Sequence, residues 1–71
     1  HEGEEALLLD ALAMLRARWP DLLLVLVPRH PQRFEAVRAL LDARGIGYAR
    51  RSEGQWPTPA MPVFLIDTMG E

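Results

Sequence analysis

The residues of this chain best equipped for chemistry are Arg29 and His30, held between two prolines in the string PRHP at 28–31. Six aliphatic residues, 22–27, run directly into that string. A guanidinium offers a planar fork for a phosphate or carboxylate, and an imidazole can donate from its ring. Pro31 suits the first turn of a helix, so the pair sits where unpaired backbone N–H groups and the positive end of a helix dipole favour an anion. Each charge-assisted contact to a phosphate is worth about 1–3 kcal/mol, enough for recognition and too little for catalysis. Three further polar groups accompany the pair: the acids Glu2, Glu4 and Glu5 after His1, Ser52 with Glu53, and Asp67 with Thr68.

Other chemistries find less support. There is no cysteine, which leaves neither a disulfide framework nor a thiolate metal site, and His1 and His30 lack the paired spacing of a metal centre. Ser52, Thr58 and Thr68 are the chain's hydroxyls besides Tyr48, and no base accompanies them in a nucleophilic pattern. A net charge of −2 gives no basic excess for nucleic acid. No apolar run approaches the roughly 20 residues that span a bilayer, and no signal-peptide layout is present. All eight basic residues are arginine, which reads as coding bias.

These groups must be positioned by a small α/β unit. Residues 3–19 read as a first helix, with Leu8, Leu12, Leu15 and Trp19 on its apolar stripe and Leu7, Ala11 and Met14 widening it. Its early acids and its late Arg16 and Arg18 complement the dipole, and Pro20 ends it. The aliphatic run 22–27 reads as a strand buried on both faces, closed by Pro28. Residues 31–44 form a second helix, with Phe34, Val37, Leu40 and Leu41 inward, Arg33, Glu35, Arg38 and Asp42 outward, and Gly45 as a left-handed cap. Residues 46–51 are half polar, as an edge strand would be. The stretch 52–61 should be an irregular connection, with Trp56 lying over the core edge. A second buried strand at 63–66 leads into Asp67.

The order helix, strand, helix, strand, loop, strand implies parallel pairing with both helices on one face. That would leave alternate members of 22–27 poorly covered and the unit marginally stable or prone to associate. A unit of this kind opens with a strand, and none precedes the first helix; with neither an initial methionine nor a continuation past Glu71, both ends read as cut. In the common sheet order 3-2-1-4, the absent strand lies between 22–27 and 63–66, and those two strands either close up or leave a gap. All four polar groups then fall at the carboxyl edge of the sheet, where open α/β sheets bind ligands.

Three blocks occur together and in order: HEGEE at 1–5, LVPRHPQRF at 26–34 and DTMGE at 67–71, with RRSEG at 50–54 between them. Together they resemble the 3-deoxy-D-manno-octulosonic acid (Kdo) transferases of Gram-negative lipopolysaccharide synthesis, across essentially the whole chain. The resemblance implies a GT-B fold of two Rossmann-like domains with the active site in the cleft between them. It implies transfer of Kdo from CMP-Kdo to a tetra-acylated lipid A precursor at the cytoplasmic side of the inner membrane, with no metal in the donor site and no cofactor. The amino-terminal domain of such an enzyme binds the acceptor and supplies the catalytic carboxylate; the carboxyl-terminal domain binds the CMP-sugar.

On this resemblance residues 1–71 are a single partial domain, the first part of the donor-binding domain, inactive alone and without a catalytic residue of their own. Arg29 and His30 would contact the CMP phosphate, His30 and Pro31 resembling the His-Pro motif of other CMP-sugar transferases. Gly3, Glu4, Asp67, Thr68, Gly70 and Glu71 match motif positions and would lie near the donor. The mechanism expected of the parent is direct displacement, with Arg29 and the helix start stabilising charge on the departing phosphate.

The residues by themselves leave other readings open. An Arg-His pair at a strand end is often a salt-bridged loop, Glu2, Glu4 and Glu5 are more often dipole-complementing surface acids than a site, and Asp67 suits helix capping as well as ligand contact. A small non-catalytic α/β module that binds a protein through its sheet is the alternative function. A phosphate-sensing domain of the response-regulator type fits less well, because the acidic cluster that it needs at a strand end is absent.

Overall fold

A computed structural model describes residues 4–68, and three parallel strands with two helices make up the unit. Helix α1 spans Glu4–Arg18, strand β1 Leu24–Leu26, helix α2 Gln32–Ala43, strand β2 Tyr48–Arg50 and strand β3 Val63–Leu65. Each element is present where the residue patterns place it, and each is shorter by one to three residues at its ends. Gly45 takes φ 67°, and the amides of Gly45 and Ile46 return to the carbonyls of Asp42 and Leu41, closing α2.

Sheet order departs from expectation. The strands run β1-β3-β2, with Leu26 and Arg50 both in register with Leu65 from opposite sides. β1 and β3 close up against each other, one of the two arrangements expected, but β2 pairs with β3 rather than with β1. The physical reason lies in side-chain character: Val63, Phe64 and Leu65 are all buried, whereas β2 alternates and carries Tyr48 and Arg50 at its half-exposed positions. The half-polar strand takes an edge.

Leu9 and Leu12 of α1 and Val37 and Leu41 of α2 pack with Leu26, Val63 and Leu65 into one core. Both helices therefore cover the same sheet face. The expectation that 22–27 is buried on both faces fails for this reason: Val25 is 51% and Val27 56% exposed on the side that no described helix covers. The expectation of a poorly covered second face holds. Trp56 lies on that side, its ring 5.7 Å from Phe64, and is itself 72% exposed.

The inward stripe of α1 also differs from the expected one. Leu9 is 2% exposed, whereas Leu8 is 46% exposed and Leu15 and Trp19 face solvent. Glu5, Leu9, Leu12 and Arg16 form the inward row at helical spacing. Arg16 donates to the carbonyls of Leu22 and Pro59 at 2.5 and 3.1 Å, stitching the helix end to two connections. The stretch expected to be irregular begins with a 3-10 turn, Arg51–Glu53, closed by Gly54 at φ 68°.

Candidate functional site

Pro28 follows β1, removes a ladder donor and turns the chain out at the carboxyl rim. Arg29 and His30 occupy the bend, and Pro31 caps α2 with φ −57° and no side-chain cap. The first described turns of α2 close on themselves, the amides of Arg33 and Phe34 donating to the carbonyls of His30 and Pro31 at 2.9 and 3.0 Å. Arg29 and His30 are exposed, and among the described residues no hydrogen bond or ion pair engages either side chain. They are therefore available to a ligand.

The start of α1 meets this bend. A cavity of about 550 Å³ is bounded by Glu4, Glu5 and Leu8 on one side and by 26–30 with Arg33 on the other. Arg33, expected to point outward, instead turns into the gap: its Nη2 donates to Glu5 Oε1 at 3.0 Å, with the two side chains 28% and 15% exposed. The pair joins the first turns of two helices 28 residues apart in sequence. Glu5 was among the acids expected at this rim, whereas Arg33 was not legible as a site residue.

The second polar group at the rim is separate. Asp67 lies two residues past β3, and its side chain is 1% exposed. Arg50 Nε and Ser52 Oγ donate to Oδ2 at 2.8 and 2.7 Å, and the Ser52 amide donates to Oδ1 at 2.8 Å. Burial pushes this carboxyl up, but the Ser52 hydroxyl and amide and the Arg50 guanidinium outweigh it and hold it below the usual aspartate range. Asp67 thus fastens the Arg51–Glu53 turn to the central strand. Glu53 stands 3.6 Å from Arg50. The Thr68 hydroxyl is buried with no hydrogen-bond partner among the described residues.

Of the expected site residues, the structure gathers Arg29, His30 and Glu4 around one cavity. Asp67 and Thr68 share the same rim of the sheet, with Asp67 committed to internal bonds. Gly3, Gly70 and Glu71 lie outside the described residues. Among the described residues no three histidine or acidic side chains come together as metal ligands, and no helix is long and apolar enough to cross a membrane. A guanidinium, an imidazole and the start of α2 thus border one cavity.

No family model matches the chain. Among curated proteins, it is 49% identical over 74 residues to a 3-deoxy-D-manno-octulosonic acid transferase of Bordetella pertussis and 44% identical over 71 residues to that of Haemophilus influenzae. A probable mitochondrial 3-deoxy-D-manno-octulosonic acid transferase of Arabidopsis thaliana is 35% identical over 72 residues. These alignments cover 99–100% of the chain and 16–17% of the relatives, so the chain spans about a sixth of their length. Among solved structures, the C-terminal CMP-Kdo binding domain of WaaA from Acinetobacter baumannii superposes with a TM-score of 0.87 and 37% identity, over 99% of this chain and 36% of that one. Matched along its whole length in sequence and in fold, the chain is a stretch of the 3-deoxy-D-manno-octulosonic acid transferase family.

Proposed function

We propose that these residues form the first part of the donor-binding domain of an enzyme that moves Kdo from CMP-Kdo to a lipid A precursor. The observation that carries this reading is the open bend of Arg29 and His30 at the carboxyl rim, facing a cavity in a chain that aligns throughout with Kdo transferases. Arg29 and His30 take the CMP phosphate, and Glu4 borders it. Asp67 keeps the neighbouring turn in place, and Thr68 lies beside it at the rim. The parent has two Rossmann-like domains in a GT-B arrangement and works at the cytoplasmic side of the inner membrane. Its acceptor domain, outside these residues, supplies the base.

In that enzyme the donor's anomeric carbon is attacked by an acceptor hydroxyl from the other side of the cleft. Negative charge grows on the departing CMP phosphate, and the Arg29 guanidinium beside a helix start stabilises it. Titrating the isotope-labelled chain with CMP tests the assignment. Amide shifts centred on residues 28–33 are expected; shifts confined to the exposed sheet face around Val25 and Trp56 would overturn it and favour a protein-binding module.

A further inference from the structure

Arg33 lies outside the expected set of site residues, yet it borders the same cavity as Arg29. We propose that Arg33 is a second anion contact, receiving the carboxylate of the donor's sugar acid, and that Glu5 is the residue that positions it. The inference rests on the donor-binding reading above.

The chemistry of the ligand calls for two cationic contacts. An octulosonic acid activated as a CMP ester carries a phosphate and a carboxylate, and in a 2-ulosonic acid both are attached to the anomeric carbon. A site with Arg29 alone would hold the phosphate and leave the carboxylate to solvent. The structure supplies a second guanidinium in the first turn of α2, facing the same space.

The ion pair with Glu5 leaves that guanidinium able to act. An arginine fork has five N–H donors, and the bond to Glu5 Oε1 uses one of those on Nη2. The remaining donors suit a planar carboxylate. By fixing a long side chain before the ligand arrives, Glu5 removes part of the ordering cost of binding. It also offsets the charge of Arg33, so that a phosphate without a carboxylate is drawn to Arg29.

Calorimetry on a full-length Kdo transferase containing this segment separates the two contacts, using CMP, which lacks the carboxylate, beside CMP-Kdo. Arg33→Gln should weaken CMP-Kdo by about tenfold and leave CMP within about twofold, whereas Arg29→Gln should weaken both. Glu5→Gln breaks the same ion pair and keeps the guanidinium, and should retain CMP-Kdo within about threefold. Equal losses of both ligands in Arg33→Gln, no loss of either, or a Glu5→Gln variant that matches it would overturn the inference, the pair then being only a brace between helices. If Arg29→Gln leaves CMP binding intact, the donor-binding reading itself fails.

Discussion

Arg50 and Asp67 face each other across 2.8 Å, one at the end of the edge strand and the other just beyond the central strand. The contact is largely out of solvent, and the Ser52 hydroxyl and amide complete the carboxylate's shell. A buried charge with a full set of donors is stable only as a set, so removing one member leaves the others unsatisfied.

Asp67→Asn should therefore destabilise the fold by about 2–3 kcal/mol at neutral pH, read by urea unfolding. Because folding lowers the pKa of this carboxyl, its contribution is complete above the unfolded value near 3.9 and fades as pH falls through the lower folded value. The gap between Asp67→Asn and the parent should close progressively below about pH 4; a gap that persists unchanged at pH 2 would refute this account.

Leu8 and Leu9 are neighbours with opposite surroundings, one bordering the cavity and one in the core. Leu9→Ala should cost about 3 kcal/mol and Leu8→Ala no more than about 1 kcal/mol, measured in the same denaturant series. The reverse ranking would mean that α1 is rotated on the sheet.

Gly45 has a positive φ, and a Cβ there would meet nothing within 4 Å. Gly45→Ala should lose about 1 kcal/mol from the backbone alone, and Gly45→Asn should lose less, since asparagine tolerates the left-handed region better.

Arg29 has no described partner to lose. Arg29→Gln should leave the unfolding midpoint unchanged within about 0.5 kcal/mol while lowering CMP affinity by about tenfold, as seen by titration. A large loss of stability would show that the side chain braces the fold.

Local chemistry made much of this molecule legible. Pro20, Pro28 and Pro31 punctuate the chain, Gly45 marks a helix end, and the rhythm of elements identified a parallel α/β unit, so Arg29 and His30 could be set at a strand end from sequence. The facing of α1 could not be read, because Leu7, Leu8 and Leu9 in succession make every face apolar and only the sheet beneath selects Leu9. The sheet order resisted for a similar reason, since β1 and β3 are both wholly apolar and which lies central depends on what covers each. Asp67 read equally well as cap or ligand; its bonds come from Arg50 and Ser52, more than a dozen residues earlier. The ion pair of Glu5 with Arg33 likewise depends on how two helix starts converge, which no local pattern encodes.

The central position of β3 has a consequence for how the molecule assembles. Among the described residues β1 and β2 share no ladder, and each finds its backbone partners in β3. Among the described residues, Leu24–Leu26 and Tyr48–Arg50 are joined only through Val63–Leu65, which lies between them. Take Val63–Leu65 away and no ladder is left among the described residues, although both helices would keep their sequences.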